Sequence, residues 1–295
     1  MELRSLRYFL TVVESSSISK AAKVLNITQP TLSRQLKDLE VELGTKLFNR
    51  DPKGIILTDE GLFLKNRAEE ILSLTNKTQQ EFDSKKQQVL AGHITIGCVE
   101  ADNSDTLAMI LEELTQDYPR ITFTIVSGTS DDITEKLDKG LLDVAILLEP
   151  ISVDKYEKLA LPRTERWGLL VPKNSTIADN KCITPQMIIE SKLLISGREE
   201  IQNMIAHWCG CNLDELKIVG TYNLIFNIFA LVENNVGNAI TIEGATSNRN
   251  MAHRFSFIPL NPEVNTNCVL VWKKSKILTP VLEEFLRRFK EMKNI

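Results

Sequence analysis

The sequence predicts a mixed fold in three parts: an all-α-rich front closed by a small β-hairpin, one long helix, and an α/β region of two lobes. Three patterns predict it. Apolar residues recur at helical spacing through about the first 45 positions, a proline-free stretch runs from Thr58 to about Gln88, and beyond Ala91 short apolar runs alternate with amphipathic segments. At 295 residues the chain has room for two or three domains. Its 43 % apolar and 25 % charged residues are the balance of ordinary soluble folds and argue against extended disorder.

Leu3, Leu6, Phe9, Leu10 and Val13 step by threes and fours, forming the apolar face of a first helix that fades at Ser15-Ser16-Ser17. Ser17 or Ser19 is placed to cap a second, short helix, because a serine oxygen accepts from its orphan N–H groups. Ala21, Ala22 and Leu25 are that helix's inward face. Asn26-Ile27 breaks the pattern. Thr28 then offers a cap and Pro30 stands in the first turn, where no amide is needed, so a third helix starts here with Leu32, Leu36, Leu39 and Leu43 inward. Two small-faced helices joined by a turn of a few residues make a helix-turn-helix, and the alanines permit the close approach.

With the leucines inward, Gln29, Pro30, Thr31, Ser33, Arg34 and Lys37 surround the opening end and outer face of the third helix. Gln pairs with adenine and Arg with guanine, Thr and Ser reach bases or phosphates, and the first N–H groups of a helix hold a phosphate. Any solvated helix also carries such residues, so polarity alone does not separate DNA reading from plain solvation. The next segment does. Lys46-Leu47-Phe48-Asn49-Arg50 and Ile55-Ile56-Leu57 read as two short strands joined by Asp51-Pro52-Lys53-Gly54, a type I turn with Pro second and Gly fourth. This hairpin is a wing, which completes a winged helix-turn-helix over residues 1–58. Arg50 and Lys53, at its base and tip, are placed to touch phosphate or enter the minor groove, and each equally suits a solvated hairpin.

The string Thr28-Gln29-Pro30-Thr31-Leu32-Ser33-Arg34-Gln35-Leu36, followed by Leu39-Glu40, Leu43-Gly44, Leu47-Phe48, Arg50 and Leu57-Thr58-Asp59-Glu60-Gly61, closely resembles the LysR-type transcriptional regulators. Several motifs agree in order and spacing over about sixty residues, which is far more specific than a lone helix-turn-helix match. Thr28 stands where serine is commoner and Lys53 where a wing arginine is frequent; the hydroxyl and the positive charge are kept. The resemblance implies double-stranded DNA and RNA polymerase as partners, and control by a small-molecule effector.

Over residues 59–90, Leu64, Ala68, Ile71, Thr75, Thr78 and Phe82 fall close to heptad spacing. A helix of about thirty residues reaches about 45 Å and cannot bury its own stripe. Pairing with a second copy explains the stripe, and the resemblance implies such a dimerising linker helix within a homodimer or homotetramer. Packing on the C-terminal part is the alternative, and Thr75 and Thr78 weaken the seam.

Residues 91–295 alternate strands and helices: 94–98, 105–117, 122–126, 131–139 and 143–148, a parallel α/β pattern. Pro162 and Pro172 bracket a strand over 167–171, where the chain is expected to cross to a second lobe. Helices near 199–209 and 224–234 and strands near 217–219 and 239–242 follow; then come a return strand at 269–272 and a final helix over 279–293. Lobe I is thus expected over about 91–161 and 266–295, and lobe II over about 162–265. The resemblance implies an effector domain like the periplasmic solute-binding proteins, with a cleft between the lobes. In open α/β sheets ligands sit beyond the carboxyl ends of the strands. That rule selects Cys98, Val99, Glu100, Ala101 and Asp102 after the first strand, Gly128, Thr129 and Ser130 after the second, and Leu148 and Glu149 after the third. Ser196-Gly197-Arg198 and Thr241-Ile242 come from the other lobe. Glu100, Asp102 and Glu149 make an acidic rim, which disfavours a carboxylate effector and favours an amine-bearing or neutral one. Acidic loop residues are more often merely solvated.

Net charge is −4, which alone argues against a nucleic-acid binder; residues 1–90 carry 14 basic against 12 acidic groups, the remainder 21 against 27, so the slight basic excess lies at the front. The opening residues lack the apolar core of a signal peptide, and no stretch reaches the roughly 18 apolar residues of a membrane span. A cytoplasmic protein without a membrane partner is expected. That location separates it from an exported solute-binding protein. The five cysteines form no C-x-x-C pair and are expected as free thiols. There is no Gly-rich phosphate loop and no G-x-S-x-G, and His93, His207 and His253 are far apart, so neither enzyme, metal site nor cofactor is expected. An enzyme with an accessory DNA-binding domain would need that absent catalytic set. His207 lies beside Cys209-Gly210-Cys211, a spacing more often accidental than ligating. A redox-responsive or ligand-independent regulator is the alternative of the same architecture, with Cys98 the candidate thiol, although a buried Cys usually serves as a small apolar residue.

Overall fold

The computed structural model describes residues 1–51, 54–85, 90–101, 104–151, 154–247 and 253–292. It divides into two compact units, Met1–Lys86 and Gln87–Ile295.

The first unit contains helices α1 (Leu3–Ser15), α2 (Ile18–Val24) and α3 (Gln29–Leu43), strands β1 (Phe48–Asp51) and β2 (Gly54–Leu57), and helix α4 (Asp59–Lys85). Ser17, rather than Ser19, caps α2, its hydroxyl accepting from the Lys20 amide at 3.4 Å. Asn26 takes φ 53°, a left-handed turn that asparagine tolerates and that redirects the chain into α3. Thr28 caps α3 by accepting from the Thr31 amide at 3.4 Å, with Pro30 in the first turn. Leu6, Phe9 and Val12 pack with Ala21, Ala22, Leu32, Leu36 and Leu39 into one core. Leu3 and Leu43, expected inward, are exposed, because each lies at the end of its helix beyond the core's edge.

The hairpin is fastened at its base. Phe48 stacks on Phe9 with ring centroids 5.2 Å apart, and the Thr58 hydroxyl donates to the Lys46 carbonyl at 2.7 Å while accepting from the Gly61 amide at 2.9 Å. A Cβ at Gly61 would lie 2.1 Å from the Leu47 carbonyl oxygen, so only glycine allows α4 to start against the hairpin. Along the 27 residues of α4, Leu64, Ala68 and Leu72 are buried with half-buried Ile71 in this same core. The stripe expected to face a second copy is therefore partly consumed within the chain, because α1 packs against it.

The second unit begins with β3 (Gly92–Cys98), α5 (Ser104–Asp117), β4 (Ile121–Ser127), α6 (Ser130–Asp138), β5 (Val144–Leu148) and β6 (Tyr156–Pro172). It continues with α7 (Pro185–Glu190), β7 (Leu193–Ser196), α8 (Glu199–Cys209), β8 (Ile218–Tyr222), α9 (Ile228–Glu233) and β9 (Asn238–Ile242), then α10 (Gly244–Ser247), β10 (Phe255–Pro259), β11 (Asn265–Lys273) and α11 (Pro280–Met292). The strand order is β4-β3-β5-β11-β6-β9-β7-β8, with β10 also on β6. β3, β4 and β5 are parallel, as are β7, β8 and β9, whereas β11 runs antiparallel to both β5 and β6. Two α/β halves thus share the long strand β6. The strand expected between Pro162 and Pro172 is one continuous element of 17 residues that contains Pro162. Its register with β11 slips between Thr164↔Asn267 and Ala160↔Val269, and Pro162 lies in that irregular stretch, where its missing N–H breaks no ladder.

The final helix is locked to α5 by charge. Arg288, nearly buried, donates to Glu284 at 2.8 Å and to Asp117 at 2.6 Å. Hydrogen bonds from Arg287, opposed by partial burial and aided by Arg288, pull the Glu284 carboxyl from its ordinary 4.5 down to about 2. A folded-state pKa below the unfolded one contributes stability that is complete above pH 4.5 and lost as pH falls through about 2. Glu284→Gln should therefore destabilise the protein by about 1–3 kcal/mol at neutral pH. Urea denaturation should show the gap shrinking as pH falls from 5 to 3, and a gap constant over that range would contradict the assignment.

Candidate functional site

In α3, Leu32, Leu36 and Leu39 fix which side faces the core, so the opposite side is determined as well. Pro30, Arg34 and Lys37 follow one another at steps of four and three along a single exposed row, with half-buried Ser33 beside it. Gln29 and Thr31 stand exposed on either side of the helix start. The Thr31 hydroxyl is held 2.8 Å from that of Thr28. Arg34 is largely exposed, with a loose ionic contact of 4.0 Å to Asp38, so its guanidinium is available to a partner. Arg50 pairs with Ile55 through the backbone; its side chain, and Lys53 altogether, lie outside the described residues.

In the second unit, a cavity opens between the two halves at the carboxyl ends of their strands, in two adjoining chambers. The inner one, about 100 Å³, has apolar walls from Val99, Leu148, Trp167, Ile201, Ile225 and Ile242. Gly128, Ser130 and Thr241 also border it. The outer one, about 350 Å³, is bounded mainly by polar residues, among them Thr129, Asp131, Ser196, Thr221 and Asn223, together with Gly197. Thr129, Ser196, Arg198, Tyr222 and Asn223 border both. Thr129 caps α6 in a reciprocal box, accepting from the Asp132 amide at 3.2 Å and donating to its carboxylate at 2.7 Å, which brings the positive end of that helix to the cavity. The walls are held from behind: Trp167 Nε1 donates to the Thr266 hydroxyl at 2.7 Å, and the Tyr222 hydroxyl to the Ile240 carbonyl at 2.6 Å.

Of the residues selected by the strand-end rule, Val99, Glu100, Gly128, Thr129, Ser130, Leu148, Ser196, Gly197 and Thr241 come together here. Cys98, Ala101 and Glu149 do not border these chambers, and Asp102 lies outside the described residues. The Cys98 thiol is buried and donates to the Val99 carbonyl at 3.3 Å; burial, tempered by a hydrogen bond from Ser104, pushes its pKa up to about 11. Of the expected acidic rim, Glu100 borders the cavity and Glu149 does not. Glu149 accepts from Asn267 at 3.1 Å, and Glu100 accepts from the Ile225 amide of the other half at 3.0 Å. Tyr222, Asn223 and Ile225 were not selected, because the strand expected near 217–219 ends only at Tyr222; the same rule applied to the true end reaches them.

Two family models match the chain. That of the LysR substrate binding domain covers residues 87–293, and that of the bacterial regulatory helix-turn-helix protein, lysR family, covers residues 3–62. The chain belongs to the LysR family. This LysR-type transcriptional regulator has a helix-turn-helix DNA-binding domain and an effector-binding domain. It is 25 % identical over 295 residues to the uncharacterized HTH-type transcriptional regulator YvbU of Bacillus subtilis, covering 99 % of both. Over 161 residues it is 38 % identical to BsdA of the same organism, an alignment of 53 % of this chain and 54 % of the relative. Full-length CbnR in complex with its target DNA shares the fold, with a TM-score of 0.75 at 21 % identity over 99 % of both chains. Full-length BenM matches at a TM-score of 0.56 and 25 % identity, over 100 % of this chain and 97 % of that one. Among the described residues no helix is long and apolar enough to cross a membrane.

With its thiol pKa near 11 and its side chain in the core, Cys98 should resist N-ethylmaleimide at neutral pH in the native regulator and react on unfolding. Peptide mapping by mass spectrometry distinguishes the two; rapid native labelling of Cys98 would restore it as a sensor thiol.

Proposed function

We propose that this regulator binds a pseudo-palindromic operator as a homodimer or homotetramer, each pair of α3 helices entering successive major-groove turns, and that a small molecule in the cavity between the halves controls it. The single observation that carries the DNA reading is the exposed row on α3, held outward by three buried leucines. Arg34 and Gln29 read base edges, Thr31, Ser33 and Lys37 contact bases or phosphate, Pro30 fixes the approach of the helix start, and Arg50 and Lys53 follow the backbone from the wing. The regions that do this are 1–58 for DNA, 59–90 for pairing and 91–295 for the effector. CbnR, crystallised with its target DNA, supports the first assignment. The assembled regulator acts in the cytoplasm with RNA polymerase, and no catalytic turnover is assigned to it. The buried Cys98 favours ligand binding over thiol chemistry as the signal.

Pairing uses the outer side of α4. Phe63 and Leu74 are exposed and eleven residues apart, three turns of one face, with Arg67 and Glu70 between them. Arg67 pairs with Glu70 at 2.9 Å and lies 5.6 Å from the Phe63 ring centre. A second copy covers this row while Leu64, Ala68 and Leu72 stay in the chain's own core.

Arg34→Ala should lower discrimination between operator and unrelated DNA by about 1–3 kcal/mol, read as the ratio of the two affinities at fixed salt. Equal weakening on both would make Arg34 a phosphate contact instead. Leu74→Glu should shift the protein toward monomers in sedimentation velocity with its circular dichroism unchanged, since the residue is exposed and outside the core. Unchanged sedimentation would remove α4's outer face from the interface.

A further inference from the structure

One of the residues that border both chambers is a cation. Arg198 borders both, and its side chain is only 10 % exposed. One nitrogen, Nη2, donates to the Pro150 carbonyl at 3.0 Å, from the opposite half. Its Nε is buried and makes no hydrogen bond. Asp131 and Glu200 stand 3.6 and 3.8 Å from Nε, inside ion-pair range and outside hydrogen-bond range, and both carboxylates are more than half exposed. A guanidinium presents five donors in a rigid fork suited to a planar carboxylate, and a buried donor left unbonded is destabilising.

We propose that Arg198 receives the carboxylate of a monoanionic effector whose small apolar body fills the inner chamber. This rests on the reading of the cavity as the effector site. The surroundings of Arg198 select the head group. The Thr129 and Ser196 hydroxyls and the Asn223 amide line the same outer chamber, and α6 opens onto it with the positive end of its dipole. A dianion such as a phosphate monoester is disfavoured, because Arg198 already has two carboxylates within 4 Å. The inner chamber selects the body. At about 100 Å³ with aliphatic and indole walls, it is of the scale of the ~150 Å³ apolar cavity known to admit benzene, so a single ring or a short alkyl chain fits. Glu100 lies at its border with one oxygen on the Ile225 amide, so the acidity near the cavity is partly taken up by bonds across it. Ligand binding then acts on a contact that already spans the halves, since the guanidinium that takes the effector also holds Pro150.

The test uses the full chain and three matched probe sets: benzoate and hexanoate, benzamide and hexanamide, benzylamine and hexylamine. Thermal shift and calorimetry should show binding by at least one carboxylate and not by its amide or amine. Arg198→Gln should weaken that binding about tenfold or more, with Arg198→Lys intermediate, because a charge-assisted pair is lost. Both variants are checked for an unchanged unliganded melting profile, and if Arg198→Gln is unstable the lysine variant carries the comparison. Carboxylate binding that is unaffected at Arg198 overturns the proposal. Preference for amides or amines overturns the head group and leaves the cavity reading intact. No binding by any of the six overturns both.

Discussion

Everything about the effector domain depends on one strand, β6, which hydrogen-bonds with β11 in one half and with β9 and β10 in the other. β6 is paired with β11 through Tyr156 to Arg166 and with β9 and β10 from Trp167 onward, so it is the edge of one sheet and the centre of the next. The two halves therefore cannot separate, and a change in their relative angle must be taken up by the twist of the shared strand. The slip around Pro162 is where the ladder is already interrupted and offers least resistance. Because the same strand carries Trp167 into the cavity wall, a rotation at this point changes the cavity itself. Closure is opposed or favoured by two contacts that span the gap, Glu100 to the Ile225 amide and Arg198 to the Pro150 carbonyl. A ligand that binds one angle better than another shifts the population by that difference in affinity.

The helix-turn-helix relies on a comparable constraint at a smaller scale. Ala21 and Ala22 let α2 sit close to α3, Asn26 makes the turn, and Gly61 lets α4 begin against the Leu47 carbonyl. None of these residues touches DNA in the proposed arrangement. They fix the direction of α3, and that direction decides which of its polar residues are presented.

Much of this was legible because the deciding features are local. The Thr28 cap, Pro30, the leucine spacing of α3 and the apolar strands after Gly92 each act within a few residues, so pattern alone locates them. Elements that depend on distant partners were not. β7, Leu193–Ser196, is too short and too uniformly apolar to show a period, and β10 exists only because β6 offers it an edge. The α4 stripe had the right spacing for pairing between chains, but spacing cannot tell whether α1 of the same chain arrives first. Val12 rather than Val13 faces the core of α1 for a related reason: a helical face is broad, and its centre is set by what packs on it.

The cavity shows the same division between what spacing and what burial determine. The strand-end rule located about half of its border, because it follows from parallel α/β geometry irrespective of side chains. The chemistry of the border did not follow from listing charges. Three acidic residues in loops suggested a site hostile to carboxylates, yet Glu149 turns to Asn267 and Glu100 reaches the opposite half. A charge affects a ligand according to how far water and existing partners already satisfy it. Exposed or bonded carboxylates lose most of their influence, whereas a guanidinium that is nine-tenths buried with an unbonded Nε retains it. In the arrangement proposed for Arg198, the electrostatic character of this cavity is set by that cation rather than by the larger number of acids around it.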